Sequence, residues 1–458
     1  MFEEWTRQRV LGLAPDTASA KAGSGLSKSS KWSMLGHNTS AVWGEIKGSG
    51  SCPYQVRIDL TEPAFKCSCP SRKFPCKHAL GLLLVLAEEA SAIQPGEPPE
   101  WVADWLAKRS QQTEQREQRA KSNADKPVDP KAQARRAAKR DERIRAGIEE
   151  AAMWLADVMR AGLAVAQTQP GNYWQHPAAR LVDAQAPGLA RYIRQMRDSV
   201  AAGDCWQERF LDAAGRLFLT IEAYRRLDEL PEDVRADVRS AIGLTVSTDE
   251  LIATQPAVSG RWLVLGQQVE QEEHLQVRRT WLVENSDVNR VALILDFAAG
   301  AQTLDTSLIA GMSFQGELVY YPGRNPLRAV IKARDKAELI EDFPSHELDA
   351  ALALYGRTVS TSPWIDRWPM LVGGVCFQAR FGGNAVAWSL RDGTGRCLPI
   401  SASFVAGWTA LSVTGARPCS VFGEWDGRKL LPLAIRSDQG MFIAGRRAGA
   451  AHWGRASA

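Results

Sequence analysis

Three of the eight cysteines and one of the six histidines lie within residues 67–78 of this 458-residue chain. The segment reads CSCPSRKFPCKH, so Cys67, Cys69, Cys76 and His78 have the spacing Cys-x-Cys-x6-Cys-x-His. Three thiolates and one imidazole complete the four-ligand, tetrahedral set of structural zinc sites. The sequence therefore predicts one structural zinc ion. This prediction constrains the fold because the two ends of this short segment must converge on the metal.

The residues around the motif suggest how that convergence occurs. Side chains two apart on an extended strand point to the same side, so Cys67 and Cys69 can bind one metal from a strand end. The loop PSRKFP then returns Cys76 and His78 at the start of KHALGLLLVLAEE. This run is apolar on almost every face, which predicts a buried helix. A redox pair more often has the spacing Cys-x-x-Cys, and a catalytic zinc site leaves a position for water, so the pattern disfavours both.

Length and composition favour a multidomain globular protein. A chain of 458 residues usually forms two or three domains, and 45% apolar with 24% charged residues is ordinary for folded proteins. The first residues lack the pattern of a secretory signal, and the longest apolar run, Ala79–Ala87, falls short of the ~20 residues that cross a bilayer. We therefore expect a cytoplasmic protein without membrane association, in which clustered cysteines stay reduced and bind metal.

Composition and periodicity divide the chain into four segments. We expect a zinc finger domain at 1–95, a charged helix and linker at 96–130, a helical domain at 131–243 and a β-rich domain with a helical insert at 244–458. The predicted class is α+β multidomain, with an N-terminal small ββα zinc finger, a central helical domain and a C-terminal β-rich domain. Within the last segment we expect a partly open barrel and a helix near Asp335–Leu354.

The finger domain has its own local signals. Alternating apolar and polar residues predict a hairpin of Ala41–Lys47 with Tyr54–Leu60 and a third strand at Ala64–Cys67. The preceding Thr17–Ser30 is rich in Ser, Gly and Ala without periodicity, which predicts a flexible surface segment.

Positive charge is concentrated near the N-terminus. The whole chain carries +4, yet residues 21–78 hold nine Lys/Arg against three Asp/Glu and residues 108–145 hold thirteen against six. Around the metal loop lie Lys66, Arg72, Lys73 and Lys77, and before the hairpin lie Lys21, Lys28 and Lys31. Such charges can neutralise phosphates without reading base sequence. The alternative is that they keep an exposed loop in solution. The helix after His78 is too apolar to enter a groove.

The cysteine and histidine pattern, followed directly by an apolar helix, resembles the SWIM zinc finger. The wider segment WGEIKGSGSCPYQVRIDLTEPAFKCSCPSRKFPCKHALGLLL is similar to bacterial SWIM proteins with the finger near the N-terminus. The resemblance implies that Cys67, Cys69, Cys76 and His78 bind zinc, that the finger has a ββα fold, and that it takes part in binding DNA or protein.

Two functions stay open at this point. One is non-specific binding of nucleic acid through the basic loop. The other is a scaffold or adaptor, because bacterial members of the resembled family are often encoded near a MoxR-type AAA ATPase and von Willebrand A-domain proteins, which implies partners of that kind. The sequence has no Walker-type phosphate loop, no His-Glu-x-x-His and no Gly-x-Ser-x-Gly, so we expect no enzymatic activity.

Overall fold

The computed structural model describes most of the chain. The described residues are Trp5, 7–14, 17–48, 52–60, 64–71, 75–111, 130–201, 206–244, 246–272, 275–299, Leu304, 307–382 and 385–444. The predicted class is confirmed: an N-terminal sheet with a short buried helix is followed by a helical region and by β-rich sheets. Among the described residues, no helix is both long and apolar enough to cross a membrane.

The N-terminal domain is a sheet with helices packed on it. The helices are α1 (Arg7–Gly12), α2 (Thr17–Ser24) and α3 (Lys77–Glu88), and the strands are β1 (Trp32–His37), β2 (Ala41–Ile46), β3 (Tyr54–Asp59), β4 (Ala64–Cys67) and β5 (Gln94–Pro95). The strand order is β4-β3-β2-β1-β5, antiparallel except between β1 and β5. The predicted hairpin and third strand are confirmed, and β1 and β5 extend the sheet beyond them.

Helix α3 is buried on all sides, as its composition predicts. Every residue from His78 to Leu86 is buried. Val56 and Phe65 of the sheet share its apolar core, and α1 and α2 pack against it. Burying one leucine side chain contributes about 1.5–3 kcal/mol, so packing rather than helix propensity fixes the position of α3.

The flexible segment predicted at Thr17–Ser30 is wrong, because α2 and a 3-10 turn at Ser29–Lys31 occupy most of it. Helix α2 packs closely on α3. A Cβ atom at Gly23 would lie 2.8 Å from the Cβ of Leu80, and one at Gly81 would lie 2.7 Å from the Cβ of Leu26. The small residues that suggest flexibility in the sequence therefore serve close helix packing.

Helix α4 (100–111) lies against the sheet of the N-terminal domain. Val102 is buried with Ala41 and Trp43 of β2, and Trp101 packs beside them. The charged linker predicted within 96–130 falls largely on residues 112–129, outside the described residues.

The central region is helical. Its elements are α5 (Pro130–Ala161), α6 (Leu163–Thr168), α7 (Gly171–Asp183), α8 (Pro187–Val200), α9 (Trp206–Arg225) and α10 (Glu232–Ile242). Their apolar faces meet in one core that contains Ile148, Trp174, Tyr192 and Phe210.

Two six-stranded sheets form the C-terminal half, after a short helix α11 (Thr248–Thr254). The first sheet contains β6 (Ala257–Glu272), β7 (Leu275–Glu284), β8 (Asp287–Ala299), β9 (Met312–Tyr320), β10 (Ala329–Arg334) and β11 (Glu338–Leu339). Helix α12 (Leu348–Thr361) precedes the second, which contains β12 (Trp368–Gly382), β13 (Ala385–Arg391), β14 (Cys397–Pro399), β15 (Cys419–Trp425), β16 (Leu430–Ser437) and β17 (Gly440–Ile443), with α13 (Gly407–Thr414) between β14 and β15.

Each sheet curls into a partly closed barrel. The first has the order β10-β9-β6-β7-β8, and Leu293 of β8 bridges in parallel to Arg328, just before β10. The second has the order β14-β13-β12-β15-β16-β17, and Ile400, just after β14, bridges in parallel to Leu430 of β16. The structure thus has two such barrels where the sequence predicts one. We call β6–β11 the first barrel and β12–β17 the second barrel.

Charged groups are buried where the two barrels meet. Arg279 of β7 contacts Glu424 of β15 at 2.9 Å and Glu270 of β6 at 2.7 Å. The indole Nε1 of Trp281 donates to Glu424 at 2.8 Å. Arg367 also contacts Glu424, at 3.2 Å. The cluster satisfies its own charges and ties one barrel to the other.

The helical insert begins later than predicted. The sequence predicts a helix at Asp335–Leu354, whereas α12 begins at Leu348. Glu338 and Leu339 instead form β11, which pairs with β9. Pro344 explains the difference, because proline has no N–H to donate and disfavours helical geometry in the residue before it.

Candidate metal centre

Three neighbouring elements bring the four predicted ligands together. Cys67 is the last residue of β4, Cys69 lies in the following loop, and Cys76 and His78 stand at the start of α3. Ser68 continues the pairing of β4 with β3, since its N–H donates to the Gln55 carbonyl at 3.0 Å and its Oγ accepts from the Gln55 N–H at 2.9 Å. The sheet therefore fixes the direction in which the chain enters the metal loop.

The ligand atoms form one compact cluster. The three Sγ atoms and one imidazole nitrogen lie within 4.8 Å of one another, and Cys67 Sγ is 3.7 Å from His78 Nδ1. Bonds of 2.0–2.3 Å in a tetrahedral zinc site place ligand atoms roughly 3.3–3.8 Å apart. Cys76 and His78 are buried, whereas Cys67 and Cys69 are half-buried. These residues are positioned to bind one zinc ion.

Groups beside the cluster orient two of the ligands. Cys76 is the N-cap residue of α3, and its Sγ accepts a hydrogen bond from the Ala79 N–H at 3.4 Å. The positive end of the helix dipole there favours a thiolate. The rings of Tyr54 and His78 have centroids 5.0 Å apart with an interplanar angle of 46°. The imidazole is therefore held by packing as well as by the helix.

The three thiols influence one another's ionisation. Hydrogen bonds from Cys67 and Cys76 lower the pKa of Cys69, and the hydrogen bond to Cys69 raises the pKa of Cys67. One thiolate is thus favoured at the expense of a neighbour. Zinc requires all three in the thiolate form, so binding releases protons and zinc affinity falls at lower pH.

Comparison with protein-family models agrees with this geometry. Residues 54–87 match the SWIM zinc finger. The N-terminal domain contains a SWIM zinc finger. Residues 139–242 match the SWIM-associated four-helix bundle domain. No curated protein and no solved structure matches the chain.

The SWIM finger displays only part of the predicted basic surface. Lys66 on β4 and Lys77 at the start of α3 are exposed, whereas Arg72 and Lys73 fall outside the described residues. Two of the lysines before the hairpin make intramolecular contacts. Lys28 Nζ lies 3.1 Å from Glu89, and Lys31 Nζ donates to the Gly25 carbonyl at 2.6 Å.

Two basic residues join Lys66 beside the finger: Arg57, which sequence reasoning does not identify, and Lys108, which begins the basic segment 108–145. Arg57 of β3 is the cross-strand partner of Lys66. Partial burial, with the positive charges of Arg57 and Lys108, lowers the pKa of Lys66. We call Arg57, Lys66 and Lys108 the finger cluster. The i,i+4 tryptophans Trp101 and Trp105 are the available sequence signal, because Arg57 lies over both rings, at 5.1 and 5.8 Å from their centroids.

Proposed function

We propose that this zinc-binding protein uses its SWIM finger to bind DNA through the phosphate backbone, without reading sequence. The zinc has a structural role in this proposal, because four protein ligands leave no position for water or substrate. The observation that carries the proposal is the finger cluster. It brings three positive side chains together beside the metal loop. The proposed role is non-catalytic, and the reduced thiols that it requires favour a cytoplasmic location.

No carboxylate among the described residues makes an ion pair with the finger cluster. Arg109 makes an ion pair with Asp59 at 3.3 Å, but Arg57 has no ion pair among the described residues. Like charges held together disfavour one another, and an anion such as a phosphate relieves that repulsion. The cluster is therefore electrostatically suited to a polyanion.

One member of the finger cluster, Arg57, is held in place by its neighbours. The Nε atom of Arg57 is buried, and the guanidinium lies over the rings of Trp101 and Trp105. Because these contacts limit the motion of the side chain, little conformational entropy is lost when it contacts a phosphate. Helix α3 does not contact DNA in this proposal, since its apolar surface is buried in the domain core.

A scaffold or adaptor role is supported by a different surface. Leu275 and Phe297 lie on β7 and β8 of the first barrel and are 41% and 53% exposed. Val277 pairs with Phe297 and Leu275 pairs with Ala299, so the two exposed side chains are diagonal neighbours on one face. An exposed apolar patch suits a protein partner, such as the MoxR-type AAA ATPase or the von Willebrand A-domain proteins that the resemblance implies.

Fluorescence anisotropy with the zinc-loaded full chain and a labelled 20-base-pair duplex tests DNA binding. We expect weak affinity, with a Kd on the order of 10⁻⁶ to 10⁻⁴ M at physiological salt. The finger variant Lys66→Glu/Lys108→Glu should bind more weakly, and its plot of log affinity against log salt should be shallower by about 1.8, for two lost phosphate contacts. The charge control is Arg226→Glu/Arg239→Glu, which changes two exposed arginines of the helical domain by the same charge. It should bind like the unmodified protein.

Equal duplex affinity of the finger variant and the charge control would overturn the proposal. The adaptor role has its own test, a pull-down from the native host with and without nuclease. Recovery of the same ATPase and von Willebrand A-domain proteins after nuclease treatment, together with no duplex binding in the anisotropy assay, would replace DNA binding by the adaptor function.

A further inference from the structure

The two C-terminal barrels repeat one strand topology. In each, the first three strands form an antiparallel meander, β6-β7-β8 in the first barrel and β12-β13-β14 in the second. The fourth strand, β9 or β15, pairs antiparallel with the first strand. The fifth strand, β10 or β16, pairs antiparallel with the fourth, and its start is bridged in parallel from the third. The chain therefore contains two copies of one five-stranded barrel.

This connectivity is that of the OB-fold, a five-stranded and partly open Greek-key barrel. In the second barrel, α13 lies between the third and fourth strands, while β17 is an additional edge strand beside β16. OB-folds bind oligonucleotides or oligosaccharides on the outer face of their second and third strands. The corresponding faces are on β7–β8 in the first barrel and β13–β14 in the second.

In the first barrel, much of this face is covered by the second barrel. Trp281 and Val283 of β7 and Val291 of β8 are buried in one cluster with Leu371 and Phe422 of the second barrel. The ion pairs of Arg279 described above lie on the same face. This region of the first barrel therefore serves barrel–barrel packing.

The equivalent face of the second barrel is open. Side chains alternate along its strands, and those that point inward, such as Leu390 and Leu398, are buried. On the outward face, Arg391 of β13 is exposed, and Arg380 on the adjoining strand β12 is exposed as well. Neither arginine makes an ion pair with any described residue. Because Ser389 lies between them on the same face, the surface is polar and positively charged.

The nearest acidic residue in the sequence does not neutralise this charge. Asp392 follows β13, and its Oδ1 accepts hydrogen bonds from the N–H groups of Thr394 at 3.0 Å and Arg396 at 2.9 Å. It therefore holds the turn between β13 and β14. Arg380 and Arg391 remain available to an anionic ligand.

Exposed aromatic rings lie at one end of the same strands. Phe381 follows Arg380 in β12, and Trp408 stands on α13; the two are 69% and 56% exposed. Their ring centroids are 6.2 Å apart with an interplanar angle of 36°, and Trp388 of β13 meets Trp408 edge-on at 5.0 Å. By strand alternation, Phe381 and Trp388 point to the opposite side of β12 and β13 from Arg380, so the rings and the arginines adjoin only where these strands end. Exposed rings suit stacking of unpaired bases.

We propose that the second barrel binds single-stranded nucleic acid. The backbone contacts Arg380 and Arg391 on the outward face, and bases stack on Phe381 and Trp408 where the nucleic acid passes around the end of β12 and β13. Arginine favours a phosphate polymer over a neutral oligosaccharide as the occupant of this face. The site goes beyond the proposed function of the finger, because it requires neither zinc nor the finger cluster.

Anisotropy with the full chain and labelled dT20 or rU20 tests this site, and comparing the two probes distinguishes DNA from RNA. The barrel variant Arg380→Glu/Arg391→Glu should bind at least about tenfold more weakly, with a salt slope reduced by about 1.4. Trp408→Ala should lose about fivefold or more. The charge control defined above and Phe218→Ala, which removes a 57% exposed ring from α9, should bind like the unmodified protein. Thermal melting checks that each variant is folded. If Arg380→Glu/Arg391→Glu is not folded, the charge-neutral variant Arg380→Gln/Arg391→Gln is used in its place.

A second measurement locates the bound nucleic acid on the protein without any substitution. Cys397 of β14 is exposed and is the cross-strand partner of Arg391. Saturating dT20 or rU20 should slow alkylation of Cys397 several-fold and leave the exposed Cys52 of the finger domain unchanged. Unchanged alkylation of Cys397 under saturating probe would overturn the assignment of the face.

The two proposals can fail separately. The finger variant should keep its affinity for dT20, and the barrel variant should keep its affinity for duplex. The second-barrel site is overturned if the folded barrel variant binds both single strands within twofold of the charge control. It is also overturned if only the finger variant loses single-strand binding, or if a neutral hexasaccharide binds this face in place of both single strands.

Discussion

Cys76 is both a zinc ligand and the N-cap residue of α3, and two substitutions separate these roles. Its Sγ belongs to the metal cluster and also accepts the hydrogen bond from Ala79 N–H. Serine is a favoured N-cap residue but a poor replacement for a zinc thiolate, whereas alanine can do neither. We therefore expect Cys76→Ser and Cys76→Ala to lose zinc binding alike and to differ only in the cap.

The size of each effect follows from these contacts. An N-cap Ser exceeds Ala by about 1 kcal/mol, which slows amide exchange of the helix about fivefold when exchange occurs through local opening. Structural zinc contributes far more, on the order of 10 kcal/mol in zinc-finger peptides. In the intact chain, much of that contribution should appear as protection of α3, which joins the metal site to the core of the N-terminal domain.

Hydrogen exchange followed by mass spectrometry on peptides that cover Lys77–Glu88 measures both effects. With zinc, the amides of this helix should exchange slowly in the unmodified protein, and both variants should lose most of that protection from exchange. With a chelator, Cys76→Ser should exchange about fivefold more slowly than Cys76→Ala. The reasoning is refuted if the two variants exchange equally in chelator, or if Cys76→Ala retains a zinc-dependent gain in protection.

Two further predictions concern packing in the domains. Glu424→Gln should destabilise the C-terminal half by about 1.5–3 kcal/mol in urea unfolding, because Arg279 and Arg367 lose their buried partner and keep only Glu270. Burial acts to raise the pKa of Glu424, but the two arginines outweigh it and lower that pKa below its ordinary value of 4.5. The stabilisation by Glu424 is therefore full above about pH 4.5 and is lost as the pH falls through the pKa of the folded state. Equal stability of the variant and the unmodified protein at pH 7 would contradict this prediction. Gly81→Val should cost about 1–3 kcal/mol by displacing Leu26, which follows α2, from α3, as thermal unfolding of the N-terminal domain can show, and an unchanged transition would exclude the close packing.

The zinc ligands can be predicted from the sequence because their geometry is local. Cys67 to His78 span one strand end, one loop and one helix start, and the apolar run after His78 predicts the buried helix that follows. The finger cluster cannot be predicted in this way. Arg57 meets Trp101 and Trp105 only because α4 lies against the sheet, more than forty residues later in the chain.

The same distinction between local and distant contacts applies to the fold. Alternation predicts β2, β3 and β4, but Ser and Gly content misleads at α2, where small residues permit close packing against Leu80. In the C-terminal half, short strands and turns can be recognised locally. The duplication of the barrel cannot, because it depends on the parallel bridges from Leu293 to Arg328 and from Ile400 to Leu430.

The zinc K-edge X-ray absorption spectrum of the purified full chain tests the central claim most directly. A closed structural site predicts one zinc per chain with three sulfur ligands at about 2.3 Å and one nitrogen ligand at about 2.0–2.1 Å. A shell with fewer than three sulfurs, a coordinated water oxygen, or protein that contains no zinc would contradict the closed site formed by Cys67, Cys69, Cys76 and His78.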